Sequence, residues 1–363
     1  MTKLEKMLKY VSEHNEFYKN RIKEYGIKDP LDITQWPVLT RKELQENRYN
    51  MFSDGYKSKY FNQQIRRQSS SGSSGVPVNV YWDYKDWYAS NMSLWRKRLE
   101  WYGIKPSDRC IMFTLDAFNK IADGRTIYYI KEPENRLLIN LSLIQTEEQY
   151  RKLIDIVNDF NPVWLYIQPF ALNNLIQTYK NYNLRKPSAL QYIETVGELL
   201  TSDLRRRAID FFGVSLANMY GSEEMNGIAY EWSENYMLVL NNNVFVEVMN
   251  KNEIYPYGEG EAIITNLNNY AMPLIRYNQG DTILLEINSN RKLAATTQMI
   301  NVIKGRNYLS KTYRSCSISY HFLLSEVIAE VNNIFNDCII FYKFRVFVNL
   351  NQIDCNICLE KEA

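Results

Sequence analysis

The sequence predicts an α/β protein with one large and one smaller domain, on three observations. Short apolar runs bounded by turn residues alternate with capped amphipathic helices, the pattern of buried, largely parallel strands joined by crossover helices. With 363 residues, 45% of them hydrophobic and 23% charged, the chain can bury a large core. Its richest Ser/Gly stretch, residues 68–77, lies beside strand-like runs rather than between domains.

Each element can be justified in turn. Leu4, Met7, Leu8 and Val11 recur at helical spacing, and a polar helix-compatible run continues to Tyr25 before Gly26 ends it. Residues 36–40 are extended and enter a helix with Thr40 as N-cap and Glu43 completing a capping box. Residues 60–67 read as strand-like, and Val78 and Val80 alternate with Asn79 and Tyr81 as in a strand. A helix over 84–101, a turn at 103–108 and a strand over 109–115 make one βα unit. Next come a strand over 137–143, a helix from Thr146 to 157 that Asn161 and Pro162 break, a strand over 163–167 and a helix over 171–182. A strand over 192–196 ends at Gly197 and Glu198; a capped helix over 202–212 and a strand over 214–219 follow, the latter ending at residues 220–224. Residues 238–240, 244–249, 260–265 and 282–287 make the remainder β-rich.

Charge and cysteine content exclude several function classes. Forty-three Lys and Arg against 41 Asp and Glu leave a net charge of +2, without the basic field of a nucleic-acid binder. No apolar run is long enough to span a membrane, and residues 1–18 are charged throughout, unlike a signal peptide. Five cysteines in a chain of this length do not make a disulfide framework, which fits a reducing compartment, the cytoplasm. Cys355 and Cys358 are half of a zinc site without a second half. Residues 305–312 miss the P-loop signature by one residue, Ser310 standing where Gly is needed, and are rejected as a Walker loop.

Three stretches carry chemistry. Ser69, Ser70, Ser71, Ser73 and Ser74 surround Gly72 and Gly75, a run of backbone N–H groups and hydroxyls without bulk that suits wrapping a phosphate; a flexible linker is the competing reading. Tyr220, Gly221, Ser222, Glu223 and Glu224 sit at the carboxyl end of a strand, where open α/β sheets collect ligands. The two carboxylates suit Mg²⁺, or else a solvated acidic turn. In residues 276–281, Asp281 beside Gly280 suits ribose hydroxyls, or else a hairpin turn.

Taken in order with Lys304, Gly305 and Arg306, these stretches resemble the adenylate-forming (acyl-activating) superfamily, above all its phenylacetate-CoA ligase branch and relatives in capsular polysaccharide biosynthesis. Residues 14–18 and 36–44 resemble that branch's N-terminal segment. The resemblance implies a large multi-sheet αβαβα N-terminal domain over 1–304 and a small, truncated α+β C-terminal lid over 305–363. It implies that ATP activates a small carboxylic acid as an acyl-adenylate, which a thiol of CoA or a carrier protein then takes. By position, Ser69 to Gly75 would embrace the β- and γ-phosphates, Tyr220 would pack near the adenine with Gly221, Ser222 and Glu223 beside it, and Glu224 would hold Mg²⁺. Asp281 would bind the ribose, Arg306 would assist from the hinge, and Gly197 and Glu198 would line the adenine pocket. The acid pocket would fall within 82–124 and 164–197, where Trp87, Trp95, Phe113, Phe118, Trp164, Tyr166 and Phe170 either line it or belong to the core.

The departures from that pattern define the alternatives. Val76 stands where the loop has Lys, Glu223 where Tyr-Gly-x-Thr-Glu has Thr, and Asn278 where Tyr-Arg-x-Gly-Asp has Arg. The stretch after Arg306 is shorter than the family's lid and has no Gly-Lys motif. A partner that supplies lid functions, a catalytically impaired nucleotide-binding protein with a partner-binding role, and an acyl-protein synthetase using Cys355 or Cys358 are the readings that follow.

Overall fold

A computed structural model of the chain describes residues 1–69, 78–114, 129–132, 135–141, 144, 146–234, 236–287, 297–306, 310–313, 316–319, 342–348 and 353–359. The chain divides into two compact units, Met1–Trp101 with Met219–Tyr308, and Tyr102–Asn218 with Leu309–Ala363.

The first unit opens on a helical hairpin. Thr2 and Glu5 form a capping box for α1 (Lys3–His14), and Asn15 caps α2 (Glu16–Tyr25), which stops at Gly26 with φ +62°. Met7, Leu8 and Val11 bury the predicted stripe. Thr40 and Glu43 make the predicted capping box of α3 (Arg41–Glu46). Tyr56 to Phe61 coil into α4 (Tyr56–Phe61) behind Gly55, so the strand before the Ser/Gly run starts later than its sequence suggests. It is β1 (Arg66–Ser69), antiparallel to β2 (Asn79–Trp82) with Ser69 opposite Asn79; α5 (Tyr84–Tyr102) follows.

The second unit holds the expected parallel sheet. Its elements are β3 (Cys110–Thr114), β4 (Tyr129–Glu132), β5 (Arg136–Asn140), α6 (Glu147–Phe160), β6 (Trp164–Ile167), α7 (Pro169–Asn181), β7 (Tyr192–Val196) and α8 (Ser202–Phe212). The order is β7–β6–β3–β5–β4, parallel except where β4 runs against β5. All five residues of β7 are buried, as a strand covered on both faces requires. Phe113 and Trp164 are buried side chains here, the core reading of those two aromatics.

β8 (Ser215–Ser222) returns the chain to the first unit. That unit's sheet continues with β9 (Asn226–Ser233), β10 (Tyr236–Val239), β11 (Val244–Asn250), β12 (Glu253–Tyr255), β13 (Gly258–Asn266), β14 (Tyr277–Ile287) and β15 (Gln298–Arg306). Its order is β12–β11–β13–β14–β15–β10–β9–β8, antiparallel at each of these pairings. Two further hairpins, β16 (Ser310–Tyr313) with β17 (Cys316–Ser319) and β18 (Tyr342–Val348) with β19 (Ile353–Leu359), follow in sequence. No described helix is long and apolar enough to cross a membrane.

Two further local expectations change. The strand expected to end before Tyr220 runs on through Ser222, because Tyr220 to Ser222 pair with β9. Asp281 sits in no hairpin turn. It lies within β14, at a bulge where the register slips between Glu261↔Thr282 and Ile263↔Asn278, and Gly280 takes φ +87° to allow it.

The N-terminal segment is fastened to the start of β14 by a buried arginine. Arg276, 4% exposed, forks onto the Glu247 carboxylate on β11, with Nε to Oε2 at 2.9 Å, and its Nη1 donates to the Trp36 carbonyl at 2.9 Å. The Leu39 N–H donates to the Arg276 carbonyl at 2.9 Å, and Leu39 bridges to Tyr277. Arg276→Ala strands a buried carboxylate and is expected to cost about 3–5 kcal/mol of unfolding free energy in urea titration. A loss below about 1 kcal/mol would show that the pair is not a structural anchor.

Candidate active site

β14 has period 2, so Tyr277, Gln279 and Asp281 share its buried face, at 0%, 6% and 9% exposure. That face meets the end of β8. The Tyr220 hydroxyl donates to Asp281 Oδ2 at 2.8 Å, and Gln279 Nε2 lies 2.6 Å from the Tyr220 oxygen and 2.8 Å from Asp281 Oδ2. Three side chains from two strands therefore close one small ring. Ser222 Oγ donates to Gln279 Oε1 at 3.2 Å and accepts the Met225 N–H at 3.2 Å, tying the ring to the turn that carries Glu223 and Glu224.

Glycine at 221 is dictated by this corner. A Cβ there would lie 2.5 Å from the Asn226 carbonyl oxygen across the β8–β9 hairpin. Beyond it the two adjacent carboxylates part company. Glu224 is 2% exposed; its Oε1 accepts from the Tyr277 hydroxyl at 3.3 Å and faces Arg41 Nη1 at 3.6 Å, while Asn266 Nδ2 reaches its backbone carbonyl at 3.4 Å. Burial, and then the adjacent Glu224 charge, push the Tyr277 hydroxyl's pKa up, so it stays protonated as a donor. Glu223 is exposed, and its Oε2 accepts from Gln68 Nε2 at 2.9 Å; Gln68 also reaches Asn226 Oδ1 at 3.2 Å.

The structure thus brings Tyr220, Gly221, Ser222, Glu223, Glu224 and Asp281 together in the first unit. Arg306 joins them by backbone, standing opposite Asp281 in the β14–β15 ladder. Ser69 is exposed on β1, one residue after Gln68, and its hydroxyl donates to Asn79 Oδ1 at 2.6 Å. Ser70, Ser71, Gly72, Ser73, Ser74 and Gly75 lie outside the described residues. Gly197 and Glu198 belong to the second unit. Gly197 has φ +83°, and the Glu198 carboxylate accepts the Phe170 N–H at 3.1 Å in the first turn of α7, whose own N-cap side chain makes no such bond. Burial pushes the Glu198 carboxyl up to about 7, against the lowering effect of that N–H.

Tyr277 and Gln279 lie inside the Tyr-x-x-Gly-Asp stretch without a role assigned to them there, and Gln68 and Arg41 are given no site role. Counting back by two from Asp281 would have found Tyr277 and Gln279; nothing local points Gln68 or Arg41 at the acidic turn.

A cation site is not preformed here. Among the described residues no three His, Cys, Asp or Glu side chains gather as metal ligands. The Glu224 carboxylate already has a hydroxyl and a guanidinium for its charge. One compensated carboxylate does not fit a resident Mg²⁺.

No protein-family model matches the chain. It is similar to the phenylacetate-coenzyme A ligase of Pseudomonas putida, 23% identical over 292 residues that are 76% of this chain and 63% of that protein. It is also similar to the Escherichia coli K12 phenylacetate-coenzyme A ligase, 22% identical over 90% of this chain and 76% of that one. Among solved structures, 2-hydroxyisobutyryl-CoA ligase in the postadenylation state with 2-HIB-AMP superposes with a TM-score of 0.72 at 20% identity, covering 98% of this chain and 76% of the other. An anthranilate CoA ligase with anthranoyl-AMP gives 0.54 at 14% identity, covering 81% and 56%.

The raised Glu198 carboxyl has a signed consequence for stability. Between about 4.5 and about 7 the unfolded chain releases a proton that the folded chain keeps, so this group's contribution is full at low pH and is lost as pH rises through about 7. Glu198→Gln is expected to raise the melting temperature by a few degrees near pH 8, the gain fading toward pH 4. Calorimetry that finds an equal gain at both ends would remove the assignment.

Proposed function

We propose that this chain, which by its fold belongs to the adenylate-forming superfamily, uses ATP to activate a small carboxylic acid and passes the acyl group to a thiol. The convergence of Tyr220, Glu224 and Asp281 at one corner carries this reading. In the first half-reaction an acid oxygen attacks the α-phosphorus of ATP, the O–P bond forming as the bond to the β-phosphate oxygen breaks and pyrophosphate departs. In the second a thiol attacks the acyl carbonyl, AMP departs, and the thiol proton passes to solvent.

The residues divide the work as follows. Asp281 accepts the ribose hydroxyls, and Gln279 and the Tyr220 hydroxyl keep its carboxylate aimed. The Tyr220 ring offers an adenine a face. Residues 69–75 supply backbone N–H donors to the β- and γ-phosphates, each aligned donor worth about 3 kcal/mol in the transition state. Arg306, opposite Asp281, serves the ribose, and Gly197 with Glu198 edges the adenine pocket. Residues 1–304 act as the ATP- and acid-binding domain and 305–363 as part of a lid. Mg²⁺ arrives with the nucleotide rather than as a resident ion. CoA is the first thiol to test and a carrier protein the second, in the cytoplasm where both are at hand.

ATP–pyrophosphate exchange with a panel of small carboxylic acids tests the reading. Acid-dependent exchange is expected, and Asp281→Ala should lower ATP affinity at least tenfold. Unchanged ATP affinity in that variant would overturn the ribose assignment. ATP binding without exchange for any acid, even with candidate partner proteins added, would favour the impaired nucleotide-binding reading. Labelled acyl transfer that Cys355→Ser with Cys358→Ser abolishes would favour the acyl-protein synthetase.

A further inference from the structure

Arg276 and Arg41 each face a buried carboxylate in the first unit, and they are built differently. Arg276 is 4% exposed at its side chain and grips Glu247 with two nitrogens. Arg41 keeps 21% of its side chain exposed and stands 3.6 Å from Glu224, whose side chain is 3% exposed. The first geometry is a bidentate clamp; in the second a partly exposed guanidinium approaches the carboxylate through one nitrogen and also meets the Tyr277 hydroxyl.

The base of the Arg41 arm is held still. Two residues before it, Leu39 is hydrogen-bonded on both sides of Tyr277, its N–H to the Arg276 carbonyl at 2.9 Å and its carbonyl to the Asn278 N–H at 3.0 Å. One residue before it, Thr40 is locked in its capping box with Glu43. The Arg41 side chain, which also meets the Tyr277 hydroxyl, reaches the corner at which β1 ends. Gln68, immediately before the Ser/Gly run, is bonded to Glu223, the neighbour of Glu224.

We propose that Arg41 is a phosphate-binding residue: its guanidinium neutralises Glu224 in the nucleotide-free protein and turns to the polyphosphate of ATP when the nucleotide enters. The exchange swaps one anion for another. A buried carboxylate is never left bare, because the Tyr277 hydroxyl stays on Glu224 Oε1 throughout. It also answers the sequence departures: Val76 and Asn278 remove two cations from the pattern this chain resembles, and Arg41 returns one from a different segment. The proposal rests on the nucleotide reading above.

The test is nucleotide binding by the full chain in one magnesium-containing buffer, with ATP and adenosine as the paired probes. Arg41→Gln is expected to weaken ATP at least tenfold and adenosine less than threefold, because adenosine has no phosphate for the guanidinium to meet. Arg41→Lys keeps a charge beside Glu224 and secures the comparison should the glutamine variant fold poorly; it is expected to weaken ATP alone, by a few-fold, having lost the planar fork. ATP affinity unchanged in both variants overturns the proposal, and so does an equal loss for ATP and adenosine, which would mark a structural role. A wild-type chain that binds adenosine but gains nothing from the phosphates of ATP overturns it while leaving the adenosine site standing. Failure of the wild-type chain to bind either probe overturns the nucleotide reading itself.

Discussion

A guanidinium that is 4% exposed needs an acceptor for each of its nitrogens, and Arg276 finds them in three places at once. Glu247 takes two, and the carbonyls of Thr34 and Trp36 take the third. The Arg276 backbone is used as fully, its N–H given to Thr265 Oγ1 at 3.0 Å and its carbonyl to Leu39. A non-glycine residue at φ +50° persists only because these bonds over-determine it. Everything downstream on β14 inherits its phase from that point. Tyr277, Gln279 and Asp281 face the end of β8 because Arg276 sets where the strand begins.

The same residue explains how the N-terminal segment comes to bear on the site. Tyr18 on α2 accepts the Ile275 N–H at 3.0 Å and donates to the Pro273 carbonyl at 2.9 Å, so the helical hairpin braces the loop before Arg276. Trp36 and Leu39 brace it from the other side, and the next residues carry Arg41 to Glu224. The residues that brace Arg276 and the arginine that faces Glu224 thus lie on one short stretch of chain. Loss of the anchor would shift the face that carries Tyr277, Gln279 and Asp281, not merely loosen a terminus.

The two buried carboxylates of the site have partners before any ligand arrives. Asp281 Oδ2 holds the Tyr220 hydroxyl and the Gln279 amide, and Glu224 holds Tyr277 and Arg41. Satisfied networks of this kind keep buried carboxylates in place and set their direction. Under the proposed function a nucleotide would trade bond for bond, which favours a ligand with hydroxyls and phosphates at matching positions over one that offers only apolar surface.

Much of this was legible in the chain. The end of α2 at Gly26 and the capping box of α3 follow from local capping chemistry, while the break between α1 and α2 at Asn15 went unread; the parallel strands of the second unit follow from uninterrupted apolar runs, and these signals act over a few residues, where sequence and structure share one scale. The Tyr220 to Glu224 and Asp281 motifs were legible for the same reason. Their meeting was not, nor was the bulge beside Asp281, the Gln279 link or the approach of Arg41 to Glu224. What the sequence by itself determined is the set of elements and the chemical types offered at their ends. Only the tertiary structure decided which of those types touch, because a contact between strands distant in the chain depends on register and bulges, and a one-residue slip in register reverses every face.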